Sequence, residues 1–227
     1  MLEYLINIFY PKTCPGCLNL ILKSENQLCT SCRHEIPLTN HLSTKENEAF
    51  QKFYGKIPLE NAFSMFYFHK KGITQELIHH LKYKKRQEIG TVLGQWYAED
   101  LKQQKVFEEV HYIIPVPLHP KRLKQRGYNQ ISTFCHAIGD TLNIPVTTDI
   151  LYRNHYSITQ SKKNLEERSS LNTNSFDVNH NEEHHHKHFL LIDDVLTTGA
   201  TLEACGKAIL KIPGAKLSIL TMGFSES

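Results

Sequence analysis

No apolar run in this 227-residue chain approaches the roughly 18 to 20 residues that a membrane-spanning helix needs, so nothing in it is expected to cross a bilayer. The opening MLEYLINIFYPKTCPGC lacks a basic leader and a small-residue cleavage site and carries Glu3 ahead of a short apolar stretch. It does not read as a secretory signal, and a cytoplasmic protein is expected. A strong charge of one sign is missing too: 26 Lys and Arg against 23 Asp and Glu leave +3, too little to announce a nucleic-acid binder. No internal repeat is visible. What remains is an ordinary globular composition, 40% hydrophobic and 10% aromatic. Such a length can bury one core, or a core of about 150 residues with a small appended module, and the second is expected.

Charge matters here through its placement. Basic residues gather in HLKYKKR at 80–86 and in HPKRLKQRGYNQ at 119–130, while acidic residues are dispersed. Leu2, Leu5, Ile6 and Phe9 suit one helical face, which Pro11 ends. Residues 39–58 are polar and weakly periodic, as a connection would be. The expected division is a zinc-finger module with a leading helix at 1–40, a linker at 41–60 and the main domain at 61–227. Within the main domain AFSMFYFH (62–69) reads as strand, Leu77, Ile78 and Leu81 as one amphipathic helix, and Leu93, Trp96, Tyr97 and Leu101 as another. VHYIIPV (110–116) is a buried-type strand entering a proline-marked loop, with a helix at about 129–142. FLLID (189–193), a helix at about 201–210 and KLSILTM (216–222) complete the alternation. The fold class expected is α/β: a mostly parallel sheet with helices on both faces, in which ligands bind beyond the C-terminal strand ends.

Six cysteines in a chain expected in a reducing compartment are better read as ligands or buried thiols than as disulfides. Cys14-Pro15-Gly16-Cys17 and Cys29-Thr30-Ser31-Cys32 form two C-x-x-C knuckles. Four such thiolates can surround Zn²⁺ tetrahedrally, and with four protein ligands the site is closed, so a structural Zn²⁺ is expected rather than a catalytic one. A redox pair would gain nothing from the second knuckle. Cys135 and Cys205 stand alone in helical patterns and are expected to be small buried hydrophobes.

LLIDDVLTTGAT offers an apolar strand, two carboxylates, a small-residue loop and a helix. Thr197, Thr198, Gly199, Ala200 and Thr201 can turn N–H groups and hydroxyls toward one phosphate, aided by the positive end of the helix dipole. Carboxylates beside a phosphate would repel it, so Asp193 and Asp194 are expected to hold hydroxyls instead, which implies a sugar phosphate. The stretch 189–201 resembles the 5-phosphoribosyl-1-pyrophosphate (PRPP) motif of type I phosphoribosyltransferases. That resemblance implies PRPP binding by Asp193, Asp194, Val195, Leu196, Thr197, Thr198, Gly199, Ala200 and Thr201, the acids on the ribose hydroxyls and the loop on the 5′-phosphate. Lys121, Arg122, Lys124 and Arg126 are candidates for the pyrophosphate, with Mg²⁺ neutralising the rest. The same bases suit a solvated face or nucleic acid.

Taken together, the paired knuckles, LKYKKR, VPLHPKRLKQRGYNQ, TQSKKNLEERSSLNTNSF and the PRPP motif resemble the ComF family of competence proteins, ComFC type. The resemblance covers nearly the whole chain. It implies a protein that handles incoming single-stranded DNA in natural transformation, with a competence helicase as a partner. It also marks Arg126, Gly127, Asn129 and Gln130, and Gln160, Leu165, Arg168 and Asn172, as motif positions. The stretch 160–172 suits a loop closing over PRPP or a plain solvated loop. Lys82, Lys84, Lys85 and Arg86 around Tyr83 supply the basic and aromatic character that single strands need, a composition shared with ordinary helix surfaces. Glutamine hydrolysis, which a common label for the family suggests, is not expected, because the first cysteine belongs to a knuckle. A competing reading is a phosphoribosyltransferase acting on a base or amine, although no acceptor pocket is legible. In a third, PRPP acts only as a signal. The histidines at 184–186 and 188 are expected to lie in a solvated loop.

Overall fold

The computed structural model describes residues 13–21, 28–154 and 175–226. The expected leading helix and the 160–172 loop lie outside the described residues. The described order is α1 (Thr30–Glu35), α2 (Glu48–Gln51), β1 (Asn61–Tyr67), α3 (Ile73–Tyr83), α4 (Glu88–Gln104), β2 (Tyr112–Pro115), α5 (Pro120–Arg126), α6 (Ser132–Leu142), β3 (Leu151–Arg153), β4 (Phe176–Val178), β5 (His188–Leu196), α7 (Ala200–Ile209) and β6 (Lys216–Phe224).

Strands pair in parallel in the order β1-β6-β5-β2, and β3 and β4 form a separate antiparallel pair. Phe189, Leu190, Leu191 and Ile192 are all fully buried, without alternation, because a central parallel strand is covered on both of its faces. β6 is the other interior strand and shows the same continuous burial from Leu217 to Phe224. The outer edge of β1 is covered by the chain at 37–39: the Tyr67 N–H donates to the Pro37 carbonyl at 2.7 Å and the Thr39 N–H to the Met65 carbonyl at 3.1 Å. Residues 39–58 continue along this side. His41, Asn47, Ala49 and Phe53 are buried there, and the Asn47 side chain donates to the Ala62 carbonyl at 2.9 Å.

Helices α4 and α6 cross at very short range. A Cβ at Gly94 would stand 2.8 Å from both the Ala137 Cβ and the Phe134 carbonyl oxygen, so only glycine allows the approach. Cys135 and Cys205 are fully buried, as their helical settings led one to expect. The proline-marked loop after β2 proves to contain a helix, α5. Pro120 occupies its first turn, the His119 ring nitrogen accepts the Lys121 N–H at 3.2 Å, and Gly127 ends it at φ +79°. Pro at the start and Gly past the end is the usual asymmetry of a short helix.

Candidate functional site

Strand β5 carries Asp193 and Asp194 beyond the end of β2, where the Val116 N–H still bonds the Ile192 carbonyl at 2.9 Å. There an open cleft of about 510 Å³ forms. Asp193, Asp194, Val195, Thr197 and Thr201 line it, together with Lys82 from α3, His119, Arg122 and Arg126 around α5, Gln130, Phe68, and Arg153 from β3. Two carboxylates therefore face four permanent cations, a balance suited to an anionic ligand that also carries hydrogen-bond donors.

The chain turns after Leu196 through Thr197, Thr198 and Gly199 into α7. Gly199 has φ +79°, the left-handed region that favours glycine, and a Cβ on it would stand in tight contact with the Phe53 ring at 3.1 Å. Thr198 Oγ1 accepts the Ala200 N–H at 3.4 Å. Thr197, Thr198, Ala200 and Thr201 are exposed, whereas Leu196 is a core residue at 1% exposure and Val195 is half-buried in the cleft wall.

Asp194 is the hub of the acidic side. Its Oδ2 lies 2.9 Å from Lys82 Nζ and accepts from Gln130 Nε2 at 2.6 Å. Gln130 in turn accepts from Arg126, whose guanidinium sits 5.0 Å over the Tyr83 ring and donates to the Tyr83 hydroxyl at 3.3 Å. Asp193 accepts the Asp194 N–H at 2.8 Å. Burial, with the neighbouring Asp194 charge, pushes the Asp193 carboxyl up to about 7, against the opposing pull of that N–H, Lys82 and Arg122.

The fold sorts the candidate bases. Arg122 and Arg126, one helical turn apart, face the cleft, while Lys121 and Lys124 are exposed and absent from its lining. Lys82 turns inward to Asp194, away from Lys84 and Lys85, which are exposed. Arg86 pairs with Glu88 and donates to the Thr13 carbonyl at 3.2 Å. Arg153 and Phe68 gave no local signal: each reaches the cleft only because its strand ends there. The N-Pro, C-Gly frame of α5 did carry a signal, and it would have put Arg122 and Arg126 on one face.

The four knuckle cysteines converge, with all Sγ atoms within 4.8 Å of one another. The Cys29 N–H donates to Cys14 Sγ and the Cys32 N–H to Cys29 Sγ, each at 3.4 Å, a pattern that favours thiolates. A Cβ at Gly16 would stand 2.9 Å from Cys32 Sγ, so the glycine is what lets the first knuckle fold over the sulfur cluster. This donor set can hold a soft or borderline metal ion such as zinc. The cluster rests on the main core: the His80 ring bonds the Pro15 carbonyl at 2.8 Å, and Leu28 is buried at the same place.

Fold and site together define an α/β protein with an acid-and-arginine cleft at the C-terminal strand ends and a four-cysteine cluster packed on the α3–α4 corner. No protein-family profile matches the chain. It is 26% identical over 214 residues to competence protein F of Haemophilus influenzae, covering 90% of this chain and 93% of the relative. It is also 26% identical over 214 residues to competence protein ComFC of Bacillus subtilis, covering 93% and 83%. DNA utilization protein YhgH of Escherichia coli K12 is 25% identical over 146 residues, 63% of each chain. Among solved structures, adenine phosphoribosyltransferase from Leishmania tarentolae superposes with a TM-score of 0.38 at 12% identity, over 81% of this chain and 89% of that one. The ComFC-type likeness expected from the motifs thus extends over nearly the whole chain.

Proposed function

We propose that this chain binds PRPP with Mg²⁺ in the cleft and handles single-stranded DNA in the cytoplasm during natural transformation, its four cysteines holding a structural Zn²⁺. The observation that carries the reading is the acidic pair of β5, set beside a glycine-turned loop and facing Arg122, Arg126 and Arg153. A cis-diol donates to carboxylates, a 5′-phosphate accepts from loop N–H groups and threonine hydroxyls, and a pyrophosphate pairs with guanidinium groups. One ligand with all three is PRPP. The DNA part rests on the names of the relatives and on the exposed Lys84, Lys85 and Tyr83 at the end of α3.

Calorimetric titration of PRPP with Mg²⁺ is expected to show one site in the wild type and none in Asp193→Asn/Asp194→Asn. A folded, metal-loaded wild type that binds no PRPP would remove the cleft from the account. Pyrophosphate released in the same samples would favour the phosphoribosyltransferase alternative over a sensor. For the nucleic acid, Lys84→Ala/Lys85→Ala is expected to lower the salt slope of single-strand binding by about 0.7 for each phosphate that the variant no longer neutralises. An unchanged slope would clear that patch of the role.

A further inference from the structure

We propose that occupancy of the cleft and nucleic-acid binding at residues 82–86 are thermodynamically linked through Lys82, an inference that rests on the reading above. Lys82 belongs to the last turn of α3, in the same basic run as Lys84 and Lys85. Yet its ammonium is the resident counter-cation of Asp194, with Nζ 2.9 Å from Oδ2 and the two side chains 21% and 12% exposed. Gln130 donates to that same oxygen at 2.6 Å. Asp194 Oδ2 therefore already takes two strong donors, and a sugar hydroxyl at that oxygen competes with one of them. Gln130 is 3% exposed and anchored by Arg126, so it is the donor that stays. Lys82, on a flexible stem near the surface, is the donor that yields.

A ligand whose hydroxyl takes that oxygen thus displaces Lys82 toward the neighbouring exposed lysines. That adds a third ammonium to the patch where DNA phosphates would lie. By reciprocity, DNA that draws Lys82 outward frees the carboxylate for the sugar. Tyr83 makes a second connection, since it stacks on Arg126, the residue that holds Gln130 against Asp194. Both routes end on the same carboxylate, so the two sites share a residue and no long path is required.

The test is fluorescence titration of labelled oligothymidylate into the full, metal-loaded chain, with and without saturating PRPP at fixed free Mg²⁺ and ionic strength. Wild type is expected to bind DNA about five-fold tighter with PRPP present, the low end of ordinary coupling. Lys82→Met should abolish that gain and bind PRPP about five-fold tighter by calorimetry, because no ion pair has to break. Lys82→Arg, which keeps the charge, should restore coupling. PRPP that binds by calorimetry but leaves wild-type DNA affinity unchanged or weaker overturns the linkage and spares the cleft assignment. Full coupling in Lys82→Met overturns it as well. If calorimetry detects no PRPP binding at all, or the titration no DNA binding, the underlying reading fails and the linkage falls with it.

Discussion

Asp193 shows how a carboxylate lining the cleft is held at a cost to stability. Its carboxyl is raised from the usual 3.8 to about 7 by burial and by Asp194, so the folded state prefers it protonated. The sign follows from linkage: between those two pH values the unfolded chain releases this proton more readily than the folded one, and stability falls as pH rises. Asp193→Asn removes that cost. Urea unfolding across this window should find the variant gaining on wild type as pH increases, and parallel curves would refute the assignment. His188 works in the opposite direction. It is 5% exposed, its Nε2 lies 2.9 Å from Ser218 Oγ, and its Nδ1 has no partner among the described residues. Burial lowers its pKa below the usual 6.5, so its neutral form supports the fold above that value and stability is lost as pH falls below it. His188→Gln should lessen the loss on acidification, read from the melting midpoint against pH. The expectation of a solvated histidine loop therefore fails at this one position, where the chain has already entered β5.

At the scale of elements, the glycine-dependent contact of α4 with α6 positions the cleft indirectly, since α6 follows the segment that bears Gln130. Gly94→Val must separate helices that leave no room for a Cβ, and overpacking of this kind costs about 1–3 kcal/mol. A fall in the urea midpoint that, multiplied by an unchanged slope, gives a loss of that size is the expected result. The helices and interior strands were legible because their apolar patterns are dense: Leu77, Ile78 and Leu81 are buried on α3, and Leu93, Tyr97 and Leu101 on α4. Trp96, part of the same apolar pattern, is only half-buried, beneath the Arg33 guanidinium at 5.0 Å. α5 exposes most of its short surface, which leaves its sequence little apolar periodicity.

Across the whole molecule, the cysteine cluster and the main sheet are one packed body among the described residues. Cys14, Leu28, Cys32 and Ile36 belong to the same buried cluster as the sheet, and Arg86 and His80 tie the first knuckle to the α3–α4 corner. Metal removal should therefore act beyond the knuckles. Cys29→Ser is expected to release the ion and lower the melting midpoint of the entire protein in one transition. Retention of both metal and midpoint would overturn the site, and a separate early transition would make the module independent.

By itself the sequence determined the strand, acidic pair, small-residue turn and helix of 189–209, and the two knuckles. Each is encoded by contiguous residues whose types and spacing are the physical requirement. Only tertiary structure decided that Lys82 faces Asp194, that Arg153 and Phe68 join the cleft, and that Arg122 and Arg126 line it while Lys121 and Lys124 do not. Those choices depend on where separate elements end in space. A lysine in a basic run looks the same in one dimension whether its ammonium meets water or a buried carboxylate, and the difference comes from packing and desolvation.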